Sequence, residues 1–325
     1  MEFQTKTLLL SFAITVILGF IIVPILRKLK VGQIERDDGP ESHLKKQGTP
    51  TMGGIIIMLG IVIVTIAAYI YYRTVDIELA KNLLPILGLT IGFGVIGFID
   101  DFKKLVLKNT KGLKPSLKML GLLIISVAYI MYLIKGLNLG TETYIPILKE
   151  YITIPIYAYI PFSILVILAT TNAVNLTDGI DGLSSSVCTI IITCLTIIAT
   201  TLGIKEIVIF GAIVIGAVLG FLMFNIHPAK VFMGDTGSLF LGGVISGIAL
   251  YLKIPLILIL IALIPVIETI SVIIQVTYFK KTGKRVFKMA PIHHHLELSG
   301  WRENQVVMLF SVITLVVCVI GLKII

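Results

Sequence analysis

Residues 7–26, TLLLSFAITVILGFIIVPIL, carry no charged side chain, and Arg27, Lys28 and Lys30 follow them at once. A helix crosses the hydrocarbon core of a bilayer in about 20 apolar residues. A cleavable signal has a shorter apolar run with its basic residues in front; here the run is long and the basic cluster comes after it. The stretch therefore predicts a first transmembrane helix, and the rest of the chain repeats the pattern.

Uncharged runs recur at 51–72, 82–99, 119–134, about 157–174, 182–204, 207–226, 236–252, about 254–279 and 306–322, the ninth being interrupted by one acid, Glu268. The composition agrees: 57% of the 325 residues are hydrophobic and only 14% charged, where a soluble domain has about a quarter charged. The reading is an all-α integral membrane protein, one multi-pass domain over 1–325 with ten transmembrane helices. Cys188, Cys194 and Cys318 all lie within apolar runs and read as small buried hydrophobes without a metal or disulfide pattern.

Orientation follows from Lys and Arg, which concentrate in cytoplasmic loops. The loops after spans 1, 3, 5, 7 and 9 hold 19 of the 27 basic residues, and the termini and remaining loops hold 8. Both termini are thereby expected outside. The net charge of +9 is a topology signal and an attraction to membrane lipid headgroups, with no nucleic-acid partner implied. On this topology all five histidines and seven of eight aspartates face the cytoplasm. The charge rule does not explain that bias, so an active site at the cytoplasmic face does. The external stretch 139–156 alternates enough to form a small hairpin.

Four cytoplasmic stretches carry the chemistry. GFIDDFKK (97–104) closes span 3 with adjacent carboxylates, Asp100 and Asp101. Helix neighbours point about 100° apart, so one can enter a site while the other meets a metal or a lysine. TNAVNLTDGIDGL (171–183) has no basic residue and gathers Asn172, Asn175, Asp178 and Asp181; amides and carboxylates together suit hydrogen bonding to a base or a sugar. The closing Glu of a calcium loop is missing from it. NIHPAKVFMGDTGS (225–238) sets Asp235 between Gly234 and Gly237, on backbone open to close approach. Mg²⁺ takes one or two carboxylates plus substrate phosphate oxygens, a requirement that Asp235 with Asp100 or Asp101 would meet. PIHHHLE (291–297) holds His293, His294 and His295 without the i, i+4 spacing of a helical zinc site; it suits a diphosphate clamp, with a structural role equally open to at least one of the three. Lys46 precedes the rigid GTPTMGG turn (48–54) at the entry to span 2. Glu268, alone inside a span, must be paired or face water, because an ionised carboxylate in lipid is costly. The glycines at 88 and 92 and at 242, 243 and 247 read as close helix contacts.

Lys46 with GTPTMGG, the Asp100–Asp101 pair, NLTDGIDGL from Asn175, FNIHPAKVFMGDTGS from Phe224 and APIHHHLELSGW from Ala290 resemble the polyprenyl-phosphate N-acetylhexosamine-1-phosphate transferases. The resemblance spans nearly the whole chain. The unbroken His triplet followed by Leu-Glu is similar to the branch that takes phospho-N-acetylmuramoyl-pentapeptide. It implies transfer of that group from UDP-N-acetylmuramoyl-pentapeptide to undecaprenyl phosphate in the bacterial cytoplasmic membrane, with Mg²⁺ as cofactor, UMP as by-product and lipid I, the first lipid-linked peptidoglycan precursor, as product. A homodimer is an assembly open to it. It implies Asp100 as the base for the lipid phosphate, or as nucleophile of a two-step route, with Asp101 in support and Asp235 on Mg²⁺. Lys46, Thr51, Asn175, Asp178, Asp181, Asn225 and Phe232 would hold the nucleotide-sugar, Phe232 stacking on uracil, and the three histidines would line the diphosphate. Asn172 and Glu268 join the substrate-facing set from the residue reading.

Exchange of one diphosphate linkage for another needs no ATP, and no G-x-x-x-x-G-K-[ST] loop occurs. The alternative within the family is a sister enzyme that transfers N-acetylglucosamine-1-phosphate. An ion-coupled transporter would place acids near the bilayer midplane, often in two related halves. Here they crowd one face and no halves repeat.

Overall fold

The computed structural model describes residues 2–29, 48–105, 107 and 112–325; Lys46 and His43 lie outside the described residues. Among the described residues, nine helices are long and apolar enough to cross a membrane. They are α1 (Phe3–Lys28), α2 (Gly54–Val75), α3 (Ile77–Leu105), α4 (Pro115–Met131, running on as a π turn to Gly136), α5 (Ile156–Thr177), α6 (Leu183–Thr201), α7 (Lys205–Asn225), α10 (Leu263–Thr282) and α12 (Glu303–Ile324). The eighth expected span is also a helix, α8 (Gly234–Tyr251). Its 18 residues include five glycines and Asp235, and they are buried from Thr236 to Tyr251. That composition makes it less apolar than the other nine, while its burial makes it the centre of the bundle: α8 packs against α2, α3 and α5.

Small residues let these helices approach where no hydrophobic force drives them together in lipid. A Cβ on Gly242 would lie 2.5 Å from Thr171 Cα, and one on Gly216 would lie 2.2 Å from the Leu8 carbonyl oxygen. The glycine reading holds at Gly92, Gly242, Gly243 and Gly247. It fails at Gly88, which faces open space. The three cysteines are buried and free, as small hydrophobes would be.

The ninth span is broken in its backbone. A 3₁₀ turn (Pro255–Ile257) and a short helix α9 (Leu258–Ile261) precede α10, with Ala262 leaving the helical region at φ −100, ψ 32. The break precedes Glu268. Its cause is Pro265, which has no N–H and whose ring crowds the carbonyl four residues back, at Ile261.

The expected hairpin forms from β1 (Glu142–Ile145) and antiparallel β2 (Glu150–Thr153), with Glu142 opposite Thr153. It is fastened by Tyr144 N–H to the Lys253 carbonyl at 2.8 Å, by the Tyr144 hydroxyl to Ile324 O at 2.8 Å and by Lys253 to Glu142 at 2.8 Å. Phe3 stacks on Tyr71 at 4.9 Å. A short helix, α11 (Ile292–Glu297), carries the histidine triplet.

Candidate active site

The paired acids sit on the last turns of α3, both buried, and they diverge as helix geometry requires. Asp101 turns to the start of α8. Its carboxylate accepts Asp235 N–H at 3.2 Å, Thr236 N–H at 2.9 Å and the Thr236 hydroxyl at 2.7 Å. The first amides of a helix have no partner within it, and the residue at the helix boundary, Met233, supplies no side-chain cap. Asp101 therefore caps α8 from another helix and fixes the backbone of Asp235.

Asp100 turns the other way. Its Oδ1 accepts Leu113 N–H at 2.7 Å, and its Oδ2 meets Lys104 Nζ at 2.8 Å and Lys118 Nζ at 3.3 Å. The same two ammonium groups reach Asp235 Oδ2, at 3.1 and 2.8 Å. Asn175 completes the junction by donating to Asp235 Oδ1 and to the Ser238 hydroxyl, each at 2.8 Å. Two acids and two lysines from α3, α4 and α8 thus form one charged cluster. Its approach depends on Gly97, where a Cβ would lie 2.2 Å from the Asp235 carbonyl oxygen.

The turn at residues 50–54 pairs by backbone with the segment before α8. Phe232 N–H donates to Pro50 O, Gly53 N–H to Phe232 O and Gly54 N–H to Met233 O, each at 2.8 Å. This brings buried Thr51 beside Gly234, whose φ of +74 suits glycine; a Cβ there would lie 2.8 Å from Asp101 Oδ2 and 3.0 Å from Thr51 Oγ1. Half-buried Asp178 accepts the Gly234 N–H. Its carboxyl is pushed up to about 8, chiefly by burial and then by the neighbouring Asp235 and Asp101 charges.

Other expected site residues lie around this centre without joining it. Asn225 is buried, accepting from Ser185 Oγ at 2.8 Å and donating to Val231 O at 3.1 Å; it shapes the loop that carries half-buried Phe232. Asn172 is exposed on α5 and bonds back to Leu168 O at 2.7 Å. Asp181 is buried, with Oδ2 at 3.0 Å from both His227 Nδ1 and Ala229 N. Glu268 pairs with His293 at 3.0 Å, both side chains fully buried, which answers the requirement that a lone acid in a span find a partner. Among the described residues Glu268 Oε2 and His293 Nε2 have no hydrogen-bond partner, and Nε2 lies 2.1 Å from where a Cβ on Gly179 would stand. His294 Nδ1 lies 2.9 Å from Glu297 Oε2, and His295 Nδ1 accepts Lys288 N–H at 3.2 Å.

With that geometry in hand, similarity to known proteins becomes informative. A family model described as Glycosyl transferase family 4 matches residues 83–253, more than half of the chain. A phospho-N-acetylmuramoyl-pentapeptide-transferase signature matches residues 46–58. The chain is 49% identical over 316 residues to the phospho-N-acetylmuramoyl-pentapeptide-transferase of Clostridium botulinum (strain Alaska E43 / Type E3), covering 97% of this chain and 94% of the relative. The chain belongs to the phospho-N-acetylmuramoyl-pentapeptide-transferase family. The relatives of the same name from Acetivibrio thermocellus, 48% identical over 96% of this chain and 92% of the relative, and Halalkalibacterium halodurans, 48% identical over 97% and 95%, agree. Membership and the nine apolar helices make it a multi-pass bacterial membrane protein.

Reading the sequence alone missed Lys118, Thr236, Ser238, His227 and Glu303. Lys118 stands just before the uncharged run 119–134 and reads there as one more topology charge. Lys104 stands four residues after Asp100, the spacing at which helical side chains meet.

Proposed function

We propose that this chain moves phospho-N-acetylmuramoyl-pentapeptide from UDP to undecaprenyl phosphate, giving lipid I and UMP with Mg²⁺. The reaction itself follows from the family. The observation that carries the residue assignment is the cluster in which Lys104 and Lys118 join Asp100 to Asp235.

The chemistry asks for an oxygen of the lipid phosphate to attack the sugar-bearing phosphorus as the bond to UMP breaks. One diphosphate bond forms and one is lost, so catalysis is mainly in-line positioning and charge neutralisation. Asp100 accepts or excludes the proton of the lipid phosphate. Lys104 and Lys118 bridge Asp100 and Asp235 and can turn their ammonium groups toward phosphate oxygens. Asp101 keeps Asp235 in place through the α8 cap. Asn175, Asp178, Asp181, Asn225, Phe232, Thr51 and Lys46 hold the nucleotide-sugar, Asn172 and Glu268 extend that set, and His293, His294 and His295 face the diphosphate side.

The donor set fits a hard divalent cation: Asp235, Asp100 and Asp178 offer oxygen alone. Mg²⁺ held by Asp235 would neutralise phosphate charge. In the membrane we read ten spans in one domain, α8 included, with both termini outside and the cluster at the cytoplasmic boundary, where a lipid acceptor and a water-soluble donor can meet. The broken ninth span leaves a groove for the polyprenyl chain.

A donor competition tests the branch. Purified protein given undecaprenyl phosphate with equal UDP-N-acetylmuramoyl-pentapeptide and UDP-N-acetylglucosamine should make only the muramoyl lipid by mass spectrometry. Preference for the glucosamine product would move the chain to the sister activity.

A further inference from the structure

At the opposite end of α8 from Asp235, a cleft of about 680 Å³ opens where α3, α4, the hairpin, α7 and α8 meet. That end of the helix, Tyr251, lies about 24 Å along the axis from Asp235, so the cleft is separate from the charged cluster. Its volume falls in the range of ligand pockets, about 300–1,000 Å³. The start of α3 supplies Lys81 and Asn82, the π turn after α4 supplies Tyr132, the hairpin Tyr151 and the start of α7 Glu206. The backbone around it is unusual as well. Asn138 and Lys253, both in its wall, hold φ of +52 and +59, left-handed values that non-glycine residues keep only where the surroundings impose them.

The charges in the wall are arranged for a ligand of mixed charge. Lys253 is paired with Glu142 at 2.8 Å, which leaves Lys81, Glu78 and Glu206. One oxygen of Glu206 is fixed: Oε1 accepts the Tyr251 hydroxyl at 2.5 Å and Asn82 Nδ2 at 3.3 Å. Among the described residues Glu206 Oε2 accepts no hydrogen bond and Lys81 has no acidic partner, and Oε2 is not sealed from the surface. Asn82 follows Lys81 in the chain and bonds to Glu206, so a free ammonium and a free carboxylate oxygen flank one space. The half-exposed rings of Tyr132 and Tyr151 add faces that attract a cation.

The same wall is half apolar, with Leu137, Leu139, Leu202 and Leu252 beside the charges. It lies at the ends of membrane-spanning helices, the level of lipid headgroups. A ligand that matches all three features carries an amine, a phosphate and hydrocarbon. We propose that the cleft binds a primary-amine phospholipid of the phosphatidylethanolamine type, its ammonium at Glu206 and its phosphate at Lys81. A primary ammonium donates to Glu206 Oε2, which the quaternary amine of phosphatidylcholine cannot do. Phosphatidylglycerol has no cation to set against the two carboxylates. The site does not depend on the transferase reading and stands or falls separately from it.

The test places the full chain in nanodiscs of equal phosphatidylethanolamine, phosphatidylcholine and phosphatidylglycerol, and counts the lipids retained by native mass spectrometry. One phosphatidylethanolamine per chain should stay bound, in about tenfold preference over either competitor, the scale of one hydrogen bond to a charged group. N-acetylated phosphatidylethanolamine, which lacks the ammonium, should lose that preference on the wild type, a readout that needs no variant to fold. Glu206→Gln and Lys81→Gln should each lower retention by about tenfold, and Lys135→Gln, at the same end but outside the cleft, should leave it unchanged. No preferential retention by the wild type, equal retention of the acetylated lipid, or retention unchanged in folded Glu206→Gln protein overturns the proposal. Displacement of the lipid by an equal concentration of water-soluble glycerophosphoethanolamine also overturns it, by showing a site for small amines in place of a lipid.

Discussion

Replacing Gly97 by alanine adds one methyl group at the point where α3 touches the start of α8. The new carbon would stand 2.2 Å from the Asp235 carbonyl oxygen, 2.5 Å from its carbon and 2.7 Å from Thr236 N. All three neighbours are backbone, so no side chain can swing aside. Ordinary contact begins near 3.4 Å, and the helices must part there by about 1 Å. Overpacking of this kind costs about 1–3 kcal/mol of stability. The larger effect falls on chemistry, because Asp235 moves away from Asp100 and the lysines. A displacement of about 1 Å at a reacting centre costs about 100-fold in rate, equivalent to about 2.7 kcal/mol of barrier. The assay is steady-state UMP release in detergent–lipid micelles, with folding followed by size exclusion and thermal midpoint. The control is Gly88→Ala on the same helix, where an added carbon meets nothing within 4 Å; its turnover should match the wild type. A folded Gly97→Ala protein within threefold of wild-type turnover would refute the coupling between the α3–α8 contact and the charged cluster.

Lys118→Met removes an ammonium shared by Asp100 and Asp235 and should lower kcat by about 100-fold, the scale of losing one preorganised charge contact; near-normal kcat would reassign that lysine to topology alone. Asp235→Ala should abolish turnover at every Mg²⁺ concentration, whereas a variant that still titrates with Mg²⁺ would place the ion on other ligands. Glu268→Ala strands fully buried His293 without its carboxylate and should cost about 3 kcal/mol, read as a lower thermal midpoint; an unchanged midpoint would show that the pair contributes nothing net.

Much of the fold could be read from the chain because lipid leaves few choices: every backbone group in the hydrocarbon must be satisfied within a helix or a closed barrel. Uncharged runs other than the ninth are therefore helices with only their ends displaced, as where α3 extends beyond the 82–99 run through Asp100 and Asp101 to Leu105. Gly234–Tyr251 is less apolar than its neighbours because it serves as the buried centre, trading large side chains for glycines that admit α2, α3 and α5. The ninth uncharged run is interrupted by Glu268 in sequence, and its backbone breaks earlier, at Ala262, ahead of Pro265.

The motifs around Asp100, Asn175 and Asp235 were legible as polar islands at a membrane boundary, and the structure brings them together. Their partners were not. Nothing in a single sequence distinguishes Lys118 as a ligand of two carboxylates from a lysine that sets topology. The same limit hid the cap that Asp101 makes on α8, which requires the crossing of two helices 134 residues apart. Glu268 announced that it needed a partner, yet His293, 25 residues on, could be identified only in three dimensions.

The most direct test of the central claim is UMP release from UDP-N-acetylmuramoyl-pentapeptide, with and without undecaprenyl phosphate, in the wild type and in Asp100→Asn. The account predicts release by the wild type that needs both the lipid phosphate and Mg²⁺, and its near-complete loss in Asp100→Asn with donor binding retained. Wild-type turnover persisting in folded Asp100→Asn protein would contradict it by removing Asp100 from the chemistry.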